Sequence, residues 1–260
     1  MSSVAPKRSL GQHFLVDRNV LGVIERLAHP EPTDVALEVG PGLGVLTTFL
    51  ADRVRLVHAV ELDRSLEPAL RDAIGTRANV ELHFADALAL DPEALEPPPT
   101  KLVANLPYNV ATPIVAETLL RAPTLGSWCV MVQREVADRF FAEPGTKAYG
   151  AVSVLVRLHA VRTGFHPVAR TVFRPVPNVD SALVAFDRIP APPDTERIRR
   201  VVRGAFAHRR KTLANSLALT GVAGREEVVA ALVAIDRRPD VRAEALAPDE
   251  FVALATALVR

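Results

Sequence analysis

Apolar runs alternate with amphipathic stretches along the first part of this chain, and the two patterns predict different elements. Short runs rich in Val and Leu predict buried strands, whereas longer stretches with apolar residues at helical spacing predict helices. The predicted strands are 35–39, 56–60, 80–84, 102–104 and 129–132, and the helices between them are 45–51, 65–74 and 112–120. Strands that alternate with helices are typical of a parallel sheet covered by helices, so we predict an α/β fold.

The pattern is mixed after the fifth predicted strand. Helices are predicted near 135–140 and 150–158, and strand-like runs lie near 160–164 and 182–186. Because no long helical crossover separates the last two runs, we expect them to close the sheet as an antiparallel edge.

A proline-dense segment, Ile189-Pro190-Ala191-Pro192-Pro193-Asp194, predicts a linker with no element of its own. Beyond it the chain is predicted to be helical only, at 197–219, 226–235 and 248–259. We therefore predict a catalytic domain at 1–189, a linker at 190–195 and a small all-helical domain at 196–260.

Hydrophobic residues make up 49% of the 260 residues and charged residues 23%, a balance that supports a substantial core. No apolar run approaches the roughly 18 residues of a membrane-spanning helix, so we predict a soluble protein without membrane contact. The polar, basic start of the chain is unlike a secretory signal. We therefore expect a cytoplasmic protein, in which the single cysteine, Cys129, fills the core.

The segment after the first predicted strand indicates a nucleoside site. Gly40, Gly42 and Gly44 alternate with single residues shortly after Glu38, which lets the backbone approach a ligand closely. A dinucleotide site is the alternative, but its usual spacing is the wider G-x-G-x-x-G. The narrower spacing favours a nucleoside without a pyrophosphate.

Acidic residues stand at the ends of the next two predicted strands. Glu61 follows the second strand, where a carboxylate can accept hydrogen bonds from both ribose hydroxyls. Asp86 follows the third strand and can accept from an adenine amino group. Each acid alone could be an ordinary exposed strand end, but three successive strand ends with suitable groups favour the nucleoside site.

The segment Asn105-Leu106-Pro107-Tyr108, after the fourth predicted strand, indicates methyl transfer to an amino group on a flat heteroaromatic ring. Such an amine attacks poorly until acceptors hold its N–H groups, and the side-chain oxygen of Asn105 can be one acceptor. Pro107 favours an extended Leu106 and leaves a neighbouring carbonyl as the second acceptor. Tyr108 offers an aromatic face to the base. The alternative is an ordinary turn after a strand.

Charge is concentrated in one stretch, although the net charge is only +1. Seven basic residues without an intervening acid are Arg197, Arg199, Arg200, Arg203, Arg209, Arg210 and Lys211. Apolar residues interleave with them at helical spacing, which predicts a helix that packs on one face and presents arginines to an RNA backbone on the other. A solvated helix face is the alternative. Lys7 and Arg8 are further candidates for RNA contact.

Longer motifs resemble those of the ribosomal RNA adenine dimethyltransferases, and the resemblance runs almost from end to end. The motifs that carry it are residues 11–15, 38–44, 61–63, 105–108, 133–139, 147–150, 173–182 and 206–213. The resemblance implies a Rossmann-like methyltransferase sheet with S-adenosylmethionine as the methyl donor.

The resemblance also implies roles for individual residues. It implies a donor pocket lined by His13, Leu15, Gly40, Glu61, Asp86 and Asn105, to which the glycine segment adds Glu38 and Gly42. It implies that Tyr108 and Phe173 sandwich the target adenine. Relatives often have Asn at position 13, and an imidazole can make a comparable hydrogen bond.

Within the family, the stretches 205–217 and 242–258 are more similar to enzymes that act on the 16S RNA of the small ribosomal subunit. That similarity implies dimethylation of adenine exocyclic amines, with a role in small-subunit biogenesis. Enzymes that modify large-subunit RNA and confer macrolide resistance share the donor motifs and are the alternative. A monomer is expected, and no metal ligand is predicted.

The predicted mechanism is direct attack of the adenine nitrogen on the donor methyl, without a covalent enzyme intermediate or a general base. Holding the two reactants in position should supply most of the rate enhancement, by lowering the activation barrier by roughly 7–11 kcal/mol.

Two other classes of function stay open: a nicotinamide-dependent oxidoreductase, and a ribosome-assembly factor whose binding matters more than its catalysis. The wider glycine spacing that a dehydrogenase needs is absent from the sequence.

Overall fold

The fold is given by a computed structural model, which describes Lys7 and residues 12–258. Its strands are β1 (Phe14–Leu15), β2 (Val35–Val39), β3 (Leu56–Glu61), β4 (Val80–Phe84), β5 (Lys101–Asn105), β6 (Ser127–Gln133), β7 (Ala160–Val168), β8 (Phe173–Arg174) and β9 (Ser181–Arg188). Its α-helices are α1 (Asn19–Ala28), α2 (Val45–Ala51), α3 (Glu67–Ile74), α4 (Ala111–Arg121), α5 (Arg134–Phe140), α6 (Ala151–His159), α7 (Thr195–Ala207), α8 (Leu213–Leu219), α9 (Arg225–Ala234) and α10 (Pro248–Ala257).

Seven strands form one sheet in the order β4-β3-β2-β5-β6-β9-β7. The strands from β4 to β6 pair in parallel, and β9 pairs with β6 in the antiparallel sense. The predicted α/β fold with a parallel sheet is therefore confirmed. The two last predicted strands do join the sheet, but β9 lies inside it and β7 is the edge. A separate antiparallel pair joins β1 to β8.

One face of the sheet packs against α1 and α2. Ile24 of α1 and Leu50 of α2 join Val57, Val103 and Met131 from three strands in a single buried cluster. Parallel strands buried in this way are nearly continuous in apolar residues, which explains why the sequence pattern located them. Helix α1 was not predicted, although Val20, Leu21, Ile24 and Ala28 form its buried face.

Strand β6 carries the largest fully buried side chain. The ring of Trp128 stacks on Phe186 of β9 with 5.3 Å between ring centroids, and its Nε1–H donates to Thr118 Oγ1 of α4 at 3.1 Å. The indole is thus buried without an unpaired donor, as a buried polar group requires. Cys129, next along β6, is buried, and burial raises the pKa of its thiol to about 12.

Contacts divide the chain into two compact units that differ from the boundaries expected from the proline-rich segment. The first unit comprises residues up to 137 together with 161–188, and the second comprises 138–160 and the residues from 189 onward. Residues 138–160 thus group with the C-terminal helices, whereas the sequence pattern placed them with the catalytic part. The expected separation into 1–189 and 196–260 as functional domains remains a prediction.

The second unit is helical and has its own core. Its buried cluster contains Tyr149 and side chains from its helices, including Ile198, Val202, Leu217 and Phe251. The stretch 197–219 is two helices rather than one, since α7 ends at Ala207 and α8 begins at Leu213. Within the residues that the structure describes, no helix combines the length and apolar character needed to cross a membrane.

The Tyr149 hydroxyl is expected to stabilise the second unit. It donates to the carbonyl of Leu246 at 2.7 Å and is fully buried. Replacing Tyr149 with Phe keeps the ring but leaves this buried carbonyl without its donor, so the free energy of unfolding should fall by about 1–2 kcal/mol. Urea-induced unfolding monitored by circular dichroism measures this loss, and an unchanged midpoint and slope would contradict it.

Candidate functional site

The carboxyl ends of β2, β3, β4 and β5 open into one cavity in the first unit. The predicted site residues that line it are His13, Leu15, Glu38, Gly40, Gly42, Glu61, Asp86, Asn105, Leu106, Pro107 and Tyr108. Parallel strands end at the same edge of a sheet, and ligands of open α/β sheets bind there. The structure therefore brings together residues from 13 to 108, but Phe173 is not among those that line the cavity.

Backbone of the glycine segment lines the cavity at Gly40 and Gly42. Gly40, Gly42 and Gly44 have φ values of +76°, +59° and +79°, a left-handed region that side chains disfavour. A Cβ on Gly42 would lie 2.9 Å from the ring of Phe14, and one on Gly40 would lie 3.3 Å from Pro107. Glycine is required here for both conformation and space.

Glu61 is held at the rim of the cavity by backbone donors. Its Oε1 accepts from the Asp63 N–H at 2.8 Å, and its Oε2 accepts from the Gly42 N–H at 3.3 Å. Burial raises the pKa of Glu61 above its ordinary value, although these hydrogen bonds oppose the shift. Each oxygen keeps a second lone pair, so the carboxylate is fixed and can still accept from two hydroxyls.

A cluster around Asp63, which the sequence analysis did not identify, lies beside Glu61. Lys7 Nζ lies 2.6 Å from Asp63 Oδ1, and Gln12 Nε2 donates to Oδ2 at 3.0 Å. Burial alone would raise the pKa of Asp63, but the hydrogen bonds from Lys7, Ser65 and Gln12 outweigh it and hold the pKa well below its usual range. Lys7 was predicted to contact RNA, and here it binds a carboxylate of the same unit.

Glu38 is the most deeply buried acid of the cavity, with 1% of its surface exposed. Its Oε2 has no hydrogen-bond partner among the described residues. Burial raises the pKa of Glu38 to about 8, an effect that the Thr47 hydroxyl opposes and the Glu61 carboxylate reinforces. A ligand that supplies a donor or a positive charge would satisfy this orphaned oxygen.

The Asn105 amide is oriented by the backbone. Its Nδ2 donates to the carbonyl of His13 at 3.1 Å. This hydrogen bond fixes the amide so that Oδ1 is available to accept a hydrogen bond from a ligand. The carbonyl of Pro107 accepts from the Val110 N–H at 3.1 Å, whereas the Leu106 carbonyl and Asn105 Oδ1 accept from no described residue. The Leu106 carbonyl is therefore available as an acceptor, and a role for it as the second acceptor expected next to Pro107 remains a prediction.

Tyr108 is fixed at both its ring and its hydroxyl. The hydroxyl pairs with Ser181 Oγ at 2.5 Å, and the ring stacks on His13 with 5.4 Å between centroids and 28° between planes. The His13 Nδ1–H donates to the carbonyl of Pro175 at 2.8 Å, since a carbonyl can only accept. Neither Ser181 nor the contact between His13 and Tyr108 was predicted from the sequence.

Phe173 lies in the hydrophobic core and is 0% exposed. It pairs with Leu15 in the short β1–β8 ladder, which holds the chain beside His13. The resemblance implied that Phe173 covers the second face of the adenine. Because its ring packs against other side chains here, that role remains a prediction and would require movement of the β8 segment.

Several basic residues of the second unit, predicted from their spacing to face RNA, interact with groups of the protein itself. Arg197 and Arg199 lie 3.1 and 3.5 Å from Asp194 and Glu196, two acids that directly precede the run. Arg209 donates to the carbonyl of Tyr149 at 3.1 Å. Exposed cations at the end of α7 and beyond it are Arg203, Arg209, Arg210 and Lys211. Arg8 lies outside the described residues.

Comparison with known proteins supports the same chemistry. The model of the family described as ribosomal RNA adenine dimethylase matches residues 5–256. The chain is 48% identical over 250 residues to the ribosomal RNA small subunit methyltransferase A of Rubrobacter xylanophilus, which covers 96% of this chain and 94% of that protein. It is 45% identical over 261 residues to the same-named protein of Kineococcus radiotolerans, which covers 97% and 86%.

Two solved structures are similar to the fold. A dimethyladenosine transferase from Plasmodium falciparum superposes with a TM-score of 0.76 at 22% identity, covering 93% of this chain and 96% of that one. The 23S rRNA methyltransferase ErmE superposes with a TM-score of 0.67 at 30% identity, covering 95% and 100%. The first shows the fold alone, and the second is less similar in sequence than the small-subunit proteins.

The buried Glu38 carboxyl generates a pH-dependent prediction for the ligand-free protein. Its pKa is about 8 when folded and 4.5 in its ordinary setting, so between these values the unfolded chain releases the proton first. The protein therefore loses stability as the pH rises through this window. Replacing Glu38 with Gln removes that loss, so the stability of the variant relative to the parent should rise by on the order of 3–5 kcal/mol between low pH and pH 8.

Urea unfolding at pH 5, 6, 7, 8 and 9 measures the difference between the Glu38→Gln variant and the parent. The difference should grow up to about pH 8 and then level off. Glu31→Gln, at an exposed position, is the control for the loss of one carboxylate from the chain. A constant difference for Glu38→Gln would mean that Glu38 is ionised in the folded protein.

Proposed function

The chain belongs to the ribosomal RNA adenine dimethylase family, and from this premise we propose how its cavity performs the reaction. The protein is an S-adenosylmethionine-dependent methyltransferase that dimethylates the exocyclic amine of adenines in small-subunit ribosomal RNA. The relatives named for the small subunit are 45–48% identical to this chain, whereas the 23S enzyme is 30% identical. This difference favours the small-subunit reaction over the large-subunit alternative.

The cavity has the chemical groups that the donor needs. Gly40 and Gly42 line the cavity and carry no side chain, so their backbone can lie against a nucleoside. Glu61 offers two fixed acceptors to the ribose hydroxyls, and Asp86 at the next strand end is placed to accept from the adenine amino group. The unpaired Oε2 of Glu38 can face the positive part of the donor.

The bound donor supplies an electrophilic methyl group on a sulfonium. The protein's own contribution is to place the target amine in line with that methyl group. We propose that Asn105 Oδ1 and the Leu106 carbonyl each accept one N–H of the amine, which turns its lone pair toward the methyl carbon. The same two oxygens stabilise the positive charge that develops on the nitrogen.

Base stacking holds the adenine in this position. Tyr108, fixed by Ser181 and backed by His13, provides the aromatic face, and such stacking contributes about 1–3 kcal/mol per base. The target base must leave its stack to reach the cavity, as it does for other enzymes that modify a base. No general base is required, because the methylated amine is strongly acidic and water can take its proton.

We propose further that exposed cations of the second unit bind the phosphates of the RNA substrate. Arg210 and Lys211 are the best candidates, because both are exposed and lie next to Arg209, which already donates to a backbone carbonyl. Lys7 is a weaker candidate for phosphate binding, because its ammonium group already pairs with Asp63. We also propose that the protein acts as a monomer in the cytoplasm, where it meets immature small subunits.

The observation that carries the proposed mechanism is the fixed Asn105 amide, and its loss should separate chemistry from donor binding. Asn105→Ala removes one acceptor for the developing charge, so kcat should fall by about a hundredfold or more, while the Kd for S-adenosylmethionine changes by less than about tenfold. Single-turnover methylation and isothermal titration calorimetry measure the two quantities.

Glu61→Ala is the matched variant, with the opposite expectation. It removes the ribose acceptors and should weaken donor binding by at least about tenfold, with a smaller effect on the rate at saturating donor. Equal losses of donor binding and kcat in Asn105→Ala would contradict its proposed role.

The substrate is tested by incubating the protein with labelled S-adenosylmethionine and purified small or large ribosomal subunits that lack the modification. The label should enter adenines of small-subunit RNA as dimethyl groups, and mapping of the modified bases locates them. Asn105→Ala serves as the control for background labelling. Label found in large-subunit RNA instead would overturn the small-subunit assignment in favour of the alternative.

A further inference from the structure

Three ligand-type side chains meet on one face of the β3–β4 pair. In the parallel register, His58 lies opposite Glu81 and Val60 lies opposite His83. Residues two apart on a strand face the same side, so Glu81 and His83 both lie on the face that carries His58. Strand β4 is the edge of the sheet, which leaves the Glu81 side chain 49% exposed to solvent.

The donor atoms of these side chains form a small triangle. His58 Nδ1 lies 3.1 Å from His83 Nε2 and 3.3 Å from Glu81 Oε2, and the third side, from His83 Nε2 to Glu81 Oε2, is 3.8 Å. Two ligands about 2.1 Å from a tetrahedral zinc ion are about 3.4 Å apart. The triangle therefore has the size of one face of a zinc coordination tetrahedron.

The tautomer of His58 suits a metal ligand. Its Nε2 lies 2.9 Å from the carbonyl of Pro97, and because a carbonyl only accepts, Nε2 carries the proton. Nδ1 then has its lone pair directed into the triangle. A ring N–H bound to a backbone carbonyl is the usual way in which proteins orient a metal-binding histidine. The imidazole of His58 is 0% exposed and is thus held in this orientation.

We propose that His58, Glu81 and His83 bind one divalent cation of the zinc class, with water as the fourth ligand on the exposed side. Two imidazoles and one carboxylate are a donor set that zinc accepts, and they are less suited to calcium or magnesium, which prefer oxygen ligands. In the absence of a cation, the His83 Nε2–H donates to His58 Nδ1, and this hydrogen bond holds the two rings together. A bound cation would fasten the edge strand β4 to β3.

Zinc binding to the untagged, full-length protein tests the proposal without reference to methylation. After treatment with a chelator, the protein is titrated with Zn²⁺ in competition with a chromophoric chelator, and one tightly bound equivalent is expected. His83→Ala should weaken this binding by at least about a hundredfold, because loss of a ligand should cost no less than loss of an outer partner. Glu81→Gln should also weaken zinc binding, because it replaces the carboxylate ligand with a neutral amide at a half-exposed side chain.

His166→Ala is the control, because His166 is an exposed histidine of β7 outside the cluster and should leave the affinity unchanged. Zn²⁺ should also raise the melting temperature of the parent protein and of His166→Ala more than that of His83→Ala. Absence of a stoichiometric zinc ion in the parent would overturn the proposal. It would equally be overturned if folded His83→Ala and Glu81→Gln bound zinc as tightly as the parent.

Discussion

In the proposed mechanism, the chemistry of the cavity depends on one constraint, the orientation of the Asn105 amide. An amide presents either two donors or an acceptor, and only an acceptor can hold the N–H groups of an adenine amine. The carbonyl of His13 decides between the two by accepting from Asn105 Nδ2. His13 is itself held by the carbonyl of Pro175, so residues far apart in sequence fix one side-chain oxygen. We propose the Leu106 carbonyl as the second acceptor, because the Pro107 carbonyl already accepts from the Val110 N–H.

The parallel sheet explains why so much of this site could be predicted from the sequence. Strand ends that are far apart in the chain converge on one edge, so an acid or amide after each apolar run locates the cavity. Contacts that depend on register or on distant segments gave no comparable signal. These include the Lys7–Asp63 pair and the meeting of His58 with His83, which lie on different strands. Likewise, the sequence does not show which carbonyl near Pro107 is available as an acceptor; the hydrogen bonds of the turn show that it is the carbonyl of Leu106.

The fold was predictable where burial alone determines the element. Strands β2, β3, β5 and β6 are largely apolar and buried, and their predicted bounds lie within a few residues of those observed. Edge strand β4 is only partly buried, and its predicted bounds also match. The two-residue strands β1 and β8 could not be predicted, because each is stabilised by a partner about 160 residues away rather than by its own sequence. The stretch 197–219 has helical periodicity throughout, yet it breaks at 208–212, where exposed polar residues offer no buried face. The position of Phe173 could not be predicted either, since the sequence alone does not show whether an aromatic residue outside a periodic run fills the core or faces a ligand.

The most direct test of this account is a crystal structure of the protein with S-adenosylhomocysteine and an RNA oligonucleotide that carries the target adenosine. The proposed mechanism requires the adenine amino group to lie within about 3 Å of both Asn105 Oδ1 and the Leu106 carbonyl, with the ring stacked on Tyr108. An amine that instead pairs with a carboxylate such as Asp86 or Glu38, with Asn105 still bound only to His13, would contradict it.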